Sequence, residues 1–248
     1  MIDTHAHLDA LDDPDAAVAR AREAGVTRIL TIGTGPATWE RALEIASRND
    51  GVHAVLGIDP HEAADVDEHA VEEVRRLQGE PKVVAVGEIG LDYYRDRAPR
   101  EEQRRLFDAQ LAMAADIGKP VVIHTRAADD DTRDALVRFA GPVVLHCFSS
   151  PHLLPAALDH GWYVSFAGNA TFPKATDLRL AATQVPPDRI LAETDSPYLA
   201  PQPVRGKPNE PAYVAIVGEA LAELRAVAAD DLAVATTANA VTLFRLAA

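Results

Sequence analysis

Eight short apolar runs, rich in Val and Ile, recur along the whole 248-residue chain. They are Ile2–His7, Arg28–Gly33, Val52–Ile58, Val83–Glu88, Val121–His124, Val143–Cys147, Trp162–Ala167 and Ile190–Glu193. Near-continuous apolar runs of this length are typical of parallel strands buried on both faces. The residues between successive runs are enough for one crossover helix each. The pattern therefore predicts eight strand–helix units.

Eight such units without a break in composition predict an α/β fold, namely a single (β/α)8 TIM barrel over residues 1–248. Two further helices are predicted at the end of the chain, over Glu210–Leu224 and Asp230–Arg245. The alternative is a doubly wound open sheet, which is disfavoured because no Gly-x-Gly-x-x-Gly motif follows the first run. In a TIM barrel we expect the active residues at the carboxyl ends of the strands.

Charge and composition exclude several classes of function. The formal net charge of −14 argues against broad electrostatic attachment to nucleic acid or to anionic membranes, although it allows a nucleic-acid substrate bound at one point. No apolar stretch approaches the roughly 20 residues of a membrane span, and the first residues do not resemble a signal peptide. Cys147 is the only cysteine, which excludes an intrachain disulfide and predicts a cytoplasmic location.

Residues of the kind that bind metals stand at the ends of five of the predicted strands. His5 and His7 are one residue apart on the first strand, so their side chains point to the same face. The other candidates, each at or just beyond the end of a later strand, are Glu88, His124, His146 and Asp195. Any one histidine could be an ordinary hydrogen-bonded core residue, but a glutamate inside an apolar strand must be paired or bound to metal.

The donor set of the six candidates indicates the metal and the number of ions. Imidazole and carboxylate without thiolate suit Zn²⁺, Mn²⁺, Co²⁺ or Fe²⁺, with Mg²⁺ possible. Six ligands exceed one four-coordinate site with an open position, so we expect two divalent ions bridged by a carboxylate. Two ions about 3.5–4 Å apart can hold a hydroxide nucleophile and stabilise both the attacking and the leaving oxygen. The expected cofactors are therefore two Zn, Mn or Mg ions per chain.

Several longer motifs resemble those of the TatD family of metal-dependent hydrolases, and the resemblance runs from residue 3 to about residue 244. The motifs are Gly87-Glu88-Ile89-Gly90-Leu91-Asp92-Tyr93-Tyr94, Ile123-His124-Thr125-Arg126, His146-Cys147-Phe148-Ser149, Glu193-Thr194-Asp195-Ser196-Pro197-Tyr198-Leu199-Ala200-Pro201, Arg205-Gly206-Lys207-Pro208-Asn209-Glu210-Pro211 and Thr236-Thr237-Ala238-Asn239-Ala240. The resemblance implies a metal-dependent barrel with deoxyribonuclease-type phosphodiesterase activity, whose expected partner is DNA at the active site only. A monomer is expected.

The resemblance also implies roles for individual residues. The ligands of one metal would be His5, His7, Glu88 and Asp195, and Glu88 would bridge to a second metal held by His124 and His146. Asp195 would also take the proton from the attacking water, which makes Asp195 and Glu88 the main catalytic candidates.

The segment Gly57-Ile58-Asp59-Pro60-His61 departs from the family pattern Gly-x-His-Pro-His. His61 is retained and is the third catalytic candidate, able to contact a substrate phosphate or the leaving group. Asp59 stands where the family has histidine. It is either an acid that repels phosphate unless it is paired, or a turn or cap residue before Pro60, and both interpretations stay open.

The candidate substrate contacts are Arg126, Arg205 and Tyr93. Arg126 could pair with a phosphate or form a salt bridge at the rim. Arg205 lies in a loop that could close over substrate or have no role. Tyr93 and Tyr94 could stack on a base or pack over the mouth. Cys147 follows His146 on a predicted strand, so we expect it to face away from the site as a small buried hydrophobe.

Two other functions remain possible from the sequence. The first is metal-dependent hydrolysis of a carboxylic ester or an amide, including a D-aminoacyl-tRNA deacylase type of activity. Related barrels of that kind often use a lysine on the fourth strand as the bridging ligand, whereas here that strand ends in Glu88 and its only lysine is Lys82 at the start. The second is a structural metal-binding scaffold, which would have a closed, ligand-saturated site.

Overall fold

A computed structural model describes residues 1–246 as eight parallel strands in the order β1 to β8, each hydrogen-bonded to the next along the chain. The sheet curls until the segment after β8 meets β1. There Asp195 N donates to His5 O at 2.9 Å and His7 N donates to Ser196 O at 2.8 Å. The predicted α/β barrel of the TIM type is confirmed. The domain predicted over residues 1–248 ends two residues beyond the described range.

The strands and helices alternate as predicted. The strands are β1 Ile2–Ala6, β2 Arg28–Gly33, β3 Val52–Leu56, β4 Val83–Asp92, β5 Val121–Arg126, β6 Val143–Leu145, β7 Tyr163–Phe166 and β8 Ile190–Ala192. The helices are α1 Pro14–Glu23, α2 Pro36–Arg48, α3 Glu68–Leu77, α4 Arg100–Ile117, α5 Asp129–Leu136, α6 Leu154–Asp159, α7 Thr176–Gln184, α8 Val214–Arg225 and α9 Ala229–Phe244. Each barrel strand is thus followed by a helix, and α9 is additional.

The apolar core has two layers, one inside the barrel and one outside. Inside, Leu30, Val55 and Val122 meet side chains of the other strands, and Leu243 and Phe244 of α9 pack against them. Outside, alternate strand residues pack against the ring of helices. Because apolar side chains fill the barrel interior, the polar site is confined to the carboxyl ends of the strands.

Strand β4 runs four residues further than the predicted Val83–Glu88. Gly90 makes this possible, because its φ of +144° is a conformation that other residues rarely adopt. A Cβ at Gly90 would also lie 1.9 Å from the carbonyl oxygen of His124, its partner on β5. The close approach of the two strands brings Glu88 next to His124 and carries Asp92 into the same region.

None of the helices found within residues 1–246 has the length and apolar character that crossing a bilayer requires.

Candidate metal centre

The structure brings all six predicted ligands together at the carboxyl end of the barrel. His5 lies on β1, Glu88 on β4 and His124 on β5. The remaining three follow strand ends and are His7, His146 and Asp195. These six residues come from five strands or strand ends, and the barrel closure is what places them side by side.

Four of the six residues form a first cluster of donor atoms. His5 Nε2 lies 3.4 Å from His7 Nε2 and 3.5 Å from Glu88 Oε2, and His7 Nε2 lies 3.5 Å from Asp195 Oδ1. Ligands about 2.1 Å from a tetrahedral metal ion are separated by roughly 3.4 Å. Donor atoms at these separations, on imidazoles and carboxylates, therefore fit a divalent ion between them.

A second cluster shares the Glu88 carboxylate with the first. Its other oxygen, Oε1, lies 2.6 Å from His124 Nδ1 and 2.9 Å from His146 Nε2. His146 in turn stacks on His5, with the ring centroids 3.9 Å apart. One carboxylate thus faces two groups of imidazole nitrogens, one through each oxygen, which fits a ligand that bridges two ions.

The carboxylates of the second cluster stabilise positive charge on its histidines. Burial acts to raise the pKa of Glu88, but His146 and His124 lower it well below the usual range. Burial acts to lower the pKa of His124, but Asp92 and Glu88 raise it to about 9. His146 has a pKa well above its ordinary value, mainly because the effect of Glu88 and Glu193 exceeds that of burial. Both histidines therefore favour their charged forms beside the Glu88 carboxylate.

Two buried carboxylates that the sequence analysis did not single out hold the second-cluster histidines. Asp92 Oδ2 accepts from His124 Nε2 at 3.2 Å and from His61 Nε2 at 3.0 Å. Glu193 Oε1 accepts from His146 Nδ1 at 3.2 Å. Each carboxylate engages the nitrogen that does not face Glu88, and this fixes the orientation and tautomer of the imidazole. Asp92 and Glu193 both lie inside motifs that resemble those of the TatD family, and this is the only signal for them in the sequence.

We expect Asp92→Asn to weaken metal binding at the second cluster by about 10- to 100-fold. The Oδ1 atom of Asp92 already accepts from the backbone N–H groups of Tyr94 and Arg95, so the amide nitrogen of asparagine would face the histidines and could not accept from them. Titration of the metal-free protein with Zn²⁺ against a competing chelator would measure this affinity. Asp96→Asn, an exposed neighbour four residues away, is the matched control. An Asp92→Asn affinity equal to that of the control would contradict the role given to Asp92.

Asp195 is held in place by a buried network between β1 and the segment after β8. Asp3 accepts from Thr194 N at 2.9 Å and from Thr194 Oγ1 at 2.6 Å. Burial raises the pKa of Asp3 to about 8. Asp195 itself adopts a φ of +56°, which turns its side chain towards the histidines. The carboxylate of Asp195 remains partly accessible, with 12% of its side chain exposed.

The structure accounts for Asp59 as both a cap and a paired acid. Its side chain accepts from the backbone N–H groups of His61 and Glu62 at the start of a 3-10 turn. Its other oxygen lies 3.3 Å from His61 Nδ1. Both nitrogens of His61 therefore face carboxylates, those of Asp59 and Asp92, and these carboxylates raise its pKa above the ordinary value, with Asp59 making the largest contribution.

The predicted substrate residues lie at or after the carboxyl ends of β4, β5 and β8 and contact aromatic or acidic side chains. The Arg126 guanidinium lies 4.4 Å from the Tyr94 ring centroid, and the Arg205 guanidinium 4.3 Å from that of Phe172. The Tyr93 hydroxyl bonds to Asp131 at 2.5 Å. Tyr93 is thus fixed at the rim by its hydroxyl.

The expectation that Cys147 faces away from the site is wrong. Strand β6 ends at Leu145, and Cys147 has a φ of +43°, so strand alternation does not apply to it. Its backbone N–H donates to Glu193 Oε1 at 2.6 Å, and its side chain is half-buried beside Asp195. Burial and the nearby Asp195 carboxylate raise the pKa of the Cys147 thiol well above its usual range, which disfavours a nucleophilic thiolate.

Comparison with known proteins identifies relatives over the whole chain. Residues 2–245 match the model of the family described as TatD related DNase. The chain is 37% identical to the uncharacterized metal-dependent hydrolase YabD of Bacillus subtilis, over 99% of each chain. It is 38% identical to the 3′-5′ ssDNA/RNA exonuclease TatD of Pantoea vagans, over 95% of this chain and 94% of that one.

A solved structure agrees with these sequence relatives. The crystal structure of YJJV, a TatD homologue from Escherichia coli K12, superimposes with a TM-score of 0.94 at 33% identity. The match covers 100% of this chain and 98% of that chain.

Proposed function

Because this chain belongs to the TatD family and is a metal-dependent hydrolase, we propose that it is a two-metal phosphodiesterase that cleaves DNA. The observation that carries the proposal is the Glu88 carboxylate, which faces one histidine pair through each oxygen. The name of the Pantoea relative, an exonuclease on single strands, supports a nucleic-acid substrate with a free end. The proposed ions are Zn²⁺, Mn²⁺ or Mg²⁺.

In this proposal the six ligands divide between two ions. The first ion would be held by His5, His7, Glu88 and Asp195, and the second by Glu88, His124 and His146. When bound, such ions lower the pKa of water and stabilise the charge that develops on a phosphate during hydrolysis. Glu88 keeps the two donor groups together, which is its role in catalysis.

Asp195 has the position expected of a proton acceptor. Its side chain is 12% exposed, whereas that of His5 is completely buried, so Asp195 lies on the open side of the first cluster. His7 and His124 are also partly accessible, at 13% and 20% of their side chains. This opening supports a catalytic site over a closed structural one, because a substrate can approach the donors.

His61 has a different proposed role from the one suggested by the sequence. Both of its ring nitrogens face carboxylates, so it has no free N–H to offer a phosphate. We assign His61 to positioning: it holds Asp92, which in turn orients His124. Arg126 and Arg205 are the proposed phosphate contacts, since a guanidinium can pair bidentately with phosphate.

The proposed protein has one domain, a cytoplasmic location and a monomeric state. A continuous core across the strands and α9 supports one domain for residues 1–248. The single cysteine supports a reducing, cytoplasmic environment. A monomer is proposed, since the candidate ligands all come from one chain.

Hydrolysis of an end-labelled single-stranded DNA oligonucleotide by metal-reconstituted protein tests the proposed function. We expect Asp195→Asn to lower turnover by about 10²- to 10³-fold, because it removes the proton acceptor and one ligand charge. Asp159→Asn, an exposed acid at the end of α6, is the control and should keep full activity. The product ladder would give the polarity.

Absence of cleavage with Zn²⁺, Mn²⁺ and Mg²⁺, in protein shown to bind two ions per chain, would contradict the nuclease proposal. Ester and amide substrates, including aminoacyl-tRNA, would then be assayed with the same two variants. Loss of such an activity in Asp195→Asn alone would assign the site to carboxylic ester or amide hydrolysis.

A further inference from the structure

Large apolar side chains that are exposed to solvent fall into two groups within residues 1–246. One group is aliphatic and lies on the outer helices or just after them, at Val137, Leu158, Leu180, Val227 and Val234. The other group lies in the loops at the carboxyl end of the barrel and consists of Tyr94, Tyr198 and Leu199. Two of the five tyrosines of the chain are thus exposed in the loops at the end of the barrel that carries the candidate metal centre.

Tyr198 lies beside the first cluster and is 56% exposed. Its ring centroid is 5.6 Å from that of His7, in an edge-to-face arrangement. Its backbone is fixed at both ends, because Tyr198 N donates to Asp195 O at 2.8 Å and Asn209 donates to Tyr198 O. Asn209 also donates to Thr194 O at 2.8 Å. Tyr198 is therefore an exposed aromatic ring held in a defined position at the His7 end of the site.

Tyr94 lies beside the second cluster and is 68% exposed. Its backbone N–H donates to Asp92 Oδ1 at 3.0 Å, and Asp92 bonds to His124 through its other oxygen. The Arg126 guanidinium covers one part of the ring, 4.4 Å from its centroid. Tyr93 also has a guanidinium over its ring, that of Arg100 at 4.4 Å, but its hydroxyl is bonded to Asp131. The two exposed tyrosines are thus attached to opposite ends of the row that runs from His7 through Glu88 to His124, Tyr198 through its ring contact with His7 and Tyr94 through its backbone bond to Asp92.

We propose that Tyr198 and Tyr94 are stacking positions for the two bases that flank the scissile phosphate of an unpaired strand. This inference rests on the proposed function and adds residues that select the substrate. Aromatic rings bind single strands by stacking on bases, and they do so with little sequence preference. A base inside a duplex is already stacked on both faces, so rings in these positions select unpaired nucleotides.

The charge of the protein favours stacking as the source of affinity. The net charge of −14 repels a polyanion over most of the surface, so phosphate contacts are restricted to local arginines. Arg126 is one of these, and its position over Tyr94 places a cation next to a stacking surface. Base stacking then contributes binding free energy that does not depend on the net charge of the protein.

Oligonucleotides that lack single bases test this proposal. The substrates are a single-stranded DNA, the same strand with a tetrahydrofuran abasic site at the terminal nucleotide, and the same strand with that site at the next nucleotide. KM and kcat are measured for wild type, Tyr198→Ala and Tyr94→Ala, with Leu180→Ala on α7 as an exposed apolar control. Fluorescence anisotropy with metal-free protein and the same strands gives binding without turnover.

We expect each tyrosine variant to raise KM for the intact strand by about 5- to 100-fold, with a smaller change in kcat. Each abasic site should weaken binding to wild type by a similar factor. Tyr198→Ala should be insensitive to one abasic site and Tyr94→Ala to the other, because the base and its ring act as one interaction. Tyr198→Phe should behave like wild type, since the hydroxyl is not needed for stacking.

Equal KM values for intact and abasic strands with wild type would overturn the proposal. It would also be overturned if each abasic site weakened binding to the tyrosine variants as much as it weakens binding to wild type. In either case cleavage by wild type leaves the proposed function standing. If wild type cleaves no strand, the proposed function fails, and the anisotropy series alone then decides the stacking positions.

Discussion

Glu88→Gln is expected to reduce hydrolysis by about 10⁴-fold, since each ion contributes several kcal/mol of transition-state stabilisation and about 1.4 kcal/mol corresponds to a tenfold change in rate. The Glu88 carboxylate faces His5 and His7 through Oε2 and His124 and His146 through Oε1. Glutamine would retain one oxygen and present an amide N–H₂ to one histidine pair, where a cation is required. A single substitution therefore disturbs both clusters.

Turnover of labelled single-stranded DNA and metal content per chain, measured on the same preparation, would check this expectation. The metal content should fall from two ions per chain towards one or none. Glu101→Gln in the first turn of α4 is the matched control, because Glu101 is exposed and lies on a helix outside the ligand cluster. Two retained ions with activity within tenfold of wild type would contradict the bridging role of Glu88.

The fold and the convergence of the candidate ligands could be predicted from the sequence because they depend on periodic, local patterns. Eight apolar runs predict eight buried strands, and strand alternation predicts that His5 and His7 share a face; their Nε2 atoms lie 3.4 Å apart. Residues at strand ends converge in any closed parallel barrel, so no tertiary detail was needed to place Glu88 near His124.

The carboxylates that hold the histidines in place could not be predicted in the same way. The roles of Asp92 and Glu193 depend on which imidazole nitrogen faces Glu88, and this is a matter of side-chain rotation that no spacing encodes. Asp92 reaches the site only because Gly90 extends β4, and Cys147 turns towards Asp195 only because β6 ends early. The exposure of Tyr198 likewise depends on loop geometry after β8.

Chelation of the metal ions is expected to abolish activity while leaving the protein folded. The barrel interior and the helix–strand interface are apolar and do not include the ligand cluster, so the core persists without ions. Protons can take the place of the ions, because the pKa of His124 is raised to about 9 in the metal-free cluster. Far-UV circular dichroism should be unchanged, and activity should return when Zn²⁺ or Mn²⁺ is added back.

The melting temperature should fall on chelation, yet unfolding should stay cooperative. A ligand at about 100 times its Kd stabilises the folded state by roughly 2.7 kcal/mol, and for a chain of this size about 1 kcal/mol corresponds to about 2–4 °C. Two ions therefore correspond to a decrease of about 10–20 °C. An unfolded chain after chelation would instead assign the ions a structural role, as in the metal-binding scaffold that the sequence left open.

The metal-free protein should also lose stability as the pH rises from about 6.5 to 9. His124 has a folded pKa above its unfolded value of 6.5, so its contribution is complete below pH 6.5 and is lost as the pH passes through about 9. The buried Asp3 carboxyl has a pKa raised to about 8, so it also lowers the stability of the folded state as the pH rises towards 8. Metal loading should make this dependence shallower, because His124 cannot hold a proton on the nitrogen that binds an ion. Thermal melts of both forms across this range would show whether protons and metal ions compete for the same nitrogen; parallel curves would exclude His124 as a ligand.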